Sequence, residues 1–186
     1  ARRISVTMLS AYLYCKRKLY LEYVLRLTSP EKEVLVKGSI RHETYDKINK
    51  VEEQIIKTIT TEDNYESIYN KYLTNFSRLL RNTITENKYR LKNINLSLFK
   101  AYQEIIPFFK RESEIRALNI YNFIEKHNVF AEELWDKLIP KIESEFKIES
   151  DYLELKGIID QIEVYPTGKV PIELKTGSMP KEGVWP

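Results

Sequence analysis

The 186-residue sequence predicts a mixed α/β fold: a small mixed central β-sheet flanked by helices and carrying a large helical insertion. Two observations predict it. Residues 44–144 contain no glycine and only two prolines, Pro107 and Pro140, and their apolar positions recur with a helical period. After Pro140 the period becomes two, and two short apolar runs follow, joined by the turn signal Pro166-Thr-Gly-Lys169. The corresponding division is residues 1–43 (an N-terminal helical segment and the first part of the core), 44–144 (the helical insertion) and 145–186 (core strands).

Composition bounds the class without naming the chemistry. Hydrophobic residues make up 42% and charged residues 31%, a balance that folds rather than stays disordered. No apolar run approaches the roughly 20 residues that span a bilayer, and the N-terminus lacks the long apolar core of a signal peptide. A cytoplasmic protein with no membrane partner is expected. A net charge of +3 permits a nucleic-acid partner but does not argue for one. The single cysteine, Cys15, excludes an internal disulfide framework and cannot by itself form a zinc or iron–sulfur site.

In chain order, residues 5–27 read as helical, with Ser5 or Thr7 as cap and a break near Tyr14–Cys15 where the apolar pattern slips. Pro30 ends the segment. Gly38-Ser39 reads as a helix entry with Ser39 as the cap, which would put His42 in the first turn. Tyr65, Ile68, Tyr69, Tyr72, Leu73, Phe76, Leu79 and Leu80 form an i, i+3, i+4 stripe. A second helix runs from Leu96 to His127 through Pro107, and Ala131–Leu138 is a shorter third. Interspersed lysines and arginines on these helices fit a solvated face and a nucleic-acid groove equally well. Residues 146–156 alternate apolar and polar around a turn at Ser150-Asp151.

The chemistry concentrates in Gly157–Gly177, where Asp160 interrupts one apolar run and Glu173 and Lys175 interrupt the next. Pairing Tyr165 with Val170 would set Asp160 opposite Lys175 and Ile162 opposite Glu173. All four would share one face, because residues two apart on a strand do so. Asp160 and Glu173 would then be diagonal neighbours with Cα atoms about 7–8 Å apart, within reach of one divalent cation. Hard carboxylate oxygens, such a cation and a nearby lysine are what phosphodiester hydrolysis needs. Charged residues on a half-exposed strand are also ordinary, so the hairpin alone leaves a plain surface ribbon open.

Four motifs in order narrow the choice: Cys15 within YLYCKRKLYLEY, Lys37-Gly-Ser-Ile-Arg-His42-Glu, Gly157-Ile-Ile-Asp160, and Ile172-Glu-Leu-Lys175-Thr-Gly177. Together they resemble the CRISPR-associated RecB-like exonuclease family, part of the PD-(D/E)XK nuclease superfamily. The resemblance covers roughly residues 5–45 and 143–186. It implies a restriction-endonuclease-like core and a DNA nuclease dependent on Mn²⁺ or Mg²⁺. The expected substrate is DNA with single-stranded ends or overhangs, and CRISPR integration proteins are expected as partners in spacer acquisition. His42, Asp160, Glu173 and the Leu174 backbone carbonyl would hold the metal, and Lys175 would be the catalytic lysine beside Asp160 and Glu173. Lys16, Arg17 and Lys18 would contact the phosphate backbone.

Two departures accompany the resemblance. Cys15 matches the first of four cysteines that hold a four-iron–four-sulfur cluster, but the proline that follows it in the family is Lys16 here. The other three lie beyond the catalytic lysine, so a cluster requires cysteines beyond residue 186. The family's Gln-x-x-x-Tyr helix, which follows the Lys-Thr-Gly strand, is likewise expected beyond Pro186, in a C-terminal part this sequence lacks. A RecB-type DNA repair nuclease domain would share the motifs. A non-catalytic nucleic-acid-binding subunit retaining the fold is the remaining alternative.

Overall fold

The computed structural model describes residues 3–27 and 30–173, which form two compact units. One unit comprises the N-terminal residues to Pro30 together with Glu143–Glu173, and the other runs from Glu31 to Ile142.

The first unit holds the sheet. Strand β1 (Ile4–Ser5) leads directly into helix α1 (Val6–Tyr14), whose start is capped by Ser5, the Oγ accepting from the Met8 N–H at 3.1 Å. Cys15 is extended, with φ −163°, and separates α1 from the four-residue helix α2 (Lys16–Leu19), which passes into a single π-helical turn over Tyr20–Val24. The expected break therefore falls at Cys15. Strand β2 (Lys141–Ser150) begins five residues before the predicted alternation and ends on the predicted Ser150. Strand β3 (Leu155–Tyr165) is the centre of a four-stranded sheet and pairs with β1, β2 and β4 (Gly168–Ile172). Its pairing with β1 is parallel and with β4 antiparallel, so the sheet is mixed, as the sequence predicts. Two-residue β1 is the one strand the sequence pattern does not announce: it is too short for alternation to register. Arg3 ties it down by ion pairs to Glu149 at 2.5 Å and to Asp151.

Gly157 explains how α1 lies on this sheet. A Cβ at residue 157 would sit 3.1 Å from Val6 Cγ2 and 3.7 Å from Ile148 Cγ1. The absent side chain lets the first turn of α1 approach the backbone of β3 closely.

The second unit is helical: α3 (Glu33–Lys57), α4 (Tyr65–Glu86), α5 (Lys88–Asn93), α6 (Leu98–His127) and α7 (Ala131–Lys137). The predicted stripe on α4 is its buried face, with Ile68, Tyr72, Phe76 and Leu80 fully enclosed. Phe76 stacks on Phe109 of α6 with centroids 5.0 Å apart, and Tyr45 of α3 leans on Phe109 at the same distance. Such a cluster of rings adds directional packing to the area it buries.

A buried ion pair, Arg116 with Glu52, sits inside this core. Arg116 lies 2.8 Å from carboxylate oxygens of both Glu52 and Glu112 and donates to Asn49 Oδ1 at 2.7 Å. Tyr72 donates to Glu52 at 3.0 Å. Burial works to lower the Arg116 pKa, but the two carboxylates prevail and hold it above its ordinary value.

The structure also moves the predicted start of the helix that carries His42. Helix α3 starts at Glu33, with Lys32 as its flanking residue, so Ser39 is inside the helix and is not a cap. Val34, Val36 and Gly38 weaken local helix propensity, but Val36 and Ile40 are fully buried in the helical core. Lys37 bridges Glu33 one turn back and Glu104 of α6, both at 2.8 Å. Tertiary packing thus carries the helix through its glycine. No helix among the described residues is long and apolar enough to cross a membrane.

Candidate active site

The β3–β4 hairpin positions the two predicted carboxylates. Tyr165 pairs with Gly168, not with Val170 as the sequence reading has it, and the register continues through Ile162↔Pro171 to Gln161↔Ile172. The loop is therefore two residues long, Pro166-Thr167. Proline fixes its own φ, and Gly168 adopts φ +156°, a value open to glycine at little cost. A four-residue loop would have required Gly168 to remain outside the ladder.

The shift of two residues changes the site in a definite way. A one-residue slip would turn one acid to the opposite face, whereas a two-residue slip preserves faces and changes partners. Glu173 immediately follows the last strand residue. Extended by one step, the register sets Glu173 directly across from Asp160 instead of diagonal to it. Directly opposed Cα atoms in such a ladder are about 4.5–5.5 Å apart, closer than the predicted diagonal. Asp160 is half-buried, next to buried Gln161 and Ile162, and Glu173 is exposed.

Contacts at the turn end reinforce this register. Lys169 Nζ donates to Glu143 Oε2 at 3.0 Å and lies 4.6 Å above the Phe146 ring. Glu143 and Phe146 are three apart and would face opposite ways on a regular strand. Glu145, between them with φ +53°, breaks the alternation so that both reach the same lysine. Tyr165 donates to Glu163 at 2.9 Å, which raises the phenol's pKa.

The remaining predicted residues are distributed as follows. His42 is half-buried in the third turn of α3, within the helical unit, not in a first turn near a helix N-terminus. At that depth in the helix it is beyond the first turn, where the macrodipole acts. Leu174 and Lys175 lie outside the described residues. Cys15 is a half-buried free thiol between α1 and α2, and Lys16, Arg17 and Lys18 are exposed on α2. The tyrosines around this basic run are not among the predicted site residues. The signal that could find them is the flanking of the Lys16–Lys18 run by Tyr12, Tyr14 and Tyr20 in YLYCKRKLY.

Among the described residues, no group of three or more His, Cys, Asp and Glu side chains could hold a metal ion. Asp160 and Glu173 supply two. An opposed carboxylate pair suits a hard cation: Mg²⁺ is commonly held by one or two carboxylates and keeps several waters. The donor chemistry therefore fits Mg²⁺ or Mn²⁺ and would not favour a soft metal.

The sequence model of the PD-(D/E)XK nuclease superfamily matches residues 3–184. The chain belongs to that superfamily. The match runs from the N-terminal helices through to the hairpin. No curated protein and no solved structure matches it. Superfamily membership gives the general activity, phosphodiester hydrolysis of nucleic acid with a divalent metal, of which Mg²⁺ and Mn²⁺ are typical.

Proposed function

We propose that this PD-(D/E)XK nuclease is a deoxyribonuclease of the CRISPR-associated RecB-like type, an exonuclease acting on single-stranded ends or overhangs during spacer acquisition. The observation that carries the reading is the β3–β4 register, which, extended one step past Gln161↔Ile172, puts Asp160 and Glu173 across from each other. Support for the finer family comes from the order of the Cys15, His42, Asp160 and Glu173-Leu-Lys175 motifs along the chain.

In this reading Asp160 and Glu173 hold the metal, with His42 and the Leu174 carbonyl completing its protein ligands. When bound, the cation supplies Lewis-acid polarisation of the phosphate and lowers the pKa of the attacking water. Lys175 orients that water and offsets the negative charge that develops on the phosphate. Asp160 is half-buried beside Ile162, and Glu173 is exposed. Hydrolysis is direct, with no covalent enzyme intermediate. Cys15 contributes a cluster ligand only in the presence of three further thiolates.

The test uses the full protein with a 5′- or 3′-labelled single strand, a duplex with overhangs and a blunt duplex, in Mn²⁺ or Mg²⁺. Cleavage of the first two is expected, and Asp160→Ala and Lys175→Ala should each reduce it to background. If both variants cut as well as the parent, the site assignment is wrong. Persistent DNA affinity with no cleavage and no Mn²⁺ binding by calorimetry would establish the non-catalytic alternative.

A further inference from the structure

The corner where α1 turns into α2 carries, beside the basic run that the resemblance assigns to the phosphate backbone, exposed rings that the hydrolytic reading does not use. From Tyr12 to Lys18 every residue except Cys15 is exposed. Tyr12 is 43% exposed, Leu13 75% and Tyr14 82%, with Tyr20 following at 52%. Exposing three phenol rings in nine residues gives up burial that folding ordinarily takes. The corner is also one-signed. Lys16, Arg17 and Lys18 are its charges, and the first acid after them is Glu22, whose Oε1 lies 3.8 Å from Lys18.

Rings and cations are coupled in pairs. Lys16 Nζ lies 5.3 Å above the Tyr12 ring and Lys18 Nζ 5.7 Å above that of Tyr14, each four residues along. Both pairs form although extended Cys15 interrupts the helix between each ring and its lysine. Each lysine restrains its ring, and a passing phosphate would compete for the ammonium.

We infer that Tyr12, Tyr14 and Tyr20, with Lys16, Arg17 and Lys18, form a stacking platform for single-stranded nucleic acid. The inference rests on the nuclease reading for its substrate class. Exposed aromatic faces with interleaved cations suit unpaired bases, whose π-faces are open, and a positive track suits their backbone. A duplex offers the backbone but keeps its bases stacked, so the rings distinguish the two. Charge complementarity favours this occupant over an apolar protein partner, for which three adjacent cations would have to be desolvated.

Binding of the full protein to a fluorescent oligothymidine and to a duplex hairpin of equal length would be compared in EDTA, where metal-dependent cleavage is blocked. The single strand should bind more tightly than the duplex. Tyr14→Leu should weaken single-strand binding by roughly 5- to 150-fold, the range for loss of one stacked base, with little change for the duplex. Tyr14→Phe should retain parental affinity, since it keeps the ring. Lys16→Ala and Lys18→Ala should weaken both ligands and reduce the single-strand salt slope by about 0.7 each. Equal single-strand affinity for Tyr14→Leu, Tyr20→Leu and the parent would overturn the platform. So would retention of DNA affinity when the tyrosine variants instead lose a co-purifying protein. Normal cleavage in Mn²⁺ alongside those outcomes would leave the nuclease reading standing. Loss of all cleavage in the parent with intact tyrosine-dependent binding would do the reverse.

Discussion

The helical unit and the hairpin unit were specified by different kinds of information, and they differ in how they could go wrong. In α4 and α6 the buried face repeats every three or four residues, and a single displaced residue changes little. In the hairpin the faces follow from parity, but the partners follow from the turn. Pro166-Thr167 closes a tighter turn than the Tyr165–Val170 pairing assumes, and the ladder moves by two. Periodicity therefore secures which residues face together, and turn chemistry decides which of them meet.

The largest effect that would sharpen this comparison concerns the charge locked in the helical core. Replacing Arg116 by methionine should cost about 3–5 kcal/mol, because Glu52 and Glu112 would lose a buried counter-charge. Urea denaturation monitored at 222 nm measures it. A loss under about 1 kcal/mol would mean that water reaches these carboxylates and that the helical core is looser than its packing indicates. A smaller change is expected in the hairpin unit. Gly157→Ala places a methyl 3.1 Å from Val6 Cγ2 and should cost about 1–3 kcal/mol by overpacking. The double variant with Val6→Ala should recover most of it. If it recovers nothing, the close approach of α1 to β3 is not what the glycine serves.

Much of the fold was legible because its signals were local or strictly periodic. The α4 stripe, the Ser5 cap, the break at Cys15 and the strand runs around Asp160 are all of this kind. What escaped depended on distant contacts. Gly38 and Ser39 read as a helix entry until Lys37 is seen to bridge Glu33 and Glu104 from α6. Two-residue β1 exists because β3 offers an edge to it. For the hairpin, parity made the faces legible, whereas the register that sets the partners needed the two-residue turn closing at Gly168. The helical position of His42 needed the true start of α3. Arg116 was invisible as a core residue, since nothing local announces that two carboxylates from α3 and α6 will enclose it.

The smallest effect at neutral pH is also the one that tests how dry the helical core is. Tyr45 leans on Phe109, and burial, joined by the nearby Glu112 carboxylate, pushes its phenol pKa up to about 12. An unfolded tyrosine titrates near 10. Because the folded value is the higher one, the protonated ring's contribution is fully present below pH 10 and is lost as pH rises through about 12. Tyr72, raised well above its ordinary value chiefly by burial, acts in the same direction. Tyr45→Phe keeps the ring contact and removes the ionisable group. Its stability should match the parent within about 1 kcal/mol at pH 7, and the parent should fall below the variant as pH climbs from 10 towards 12. Denaturation midpoints measured across that window decide the matter. Parallel curves for the two proteins would mean that the Tyr45 hydroxyl is as well hydrated folded as unfolded. The helical unit would then owe its legibility to pattern alone, without the water-excluded interior that distinguishes it from the exposed hairpin edge.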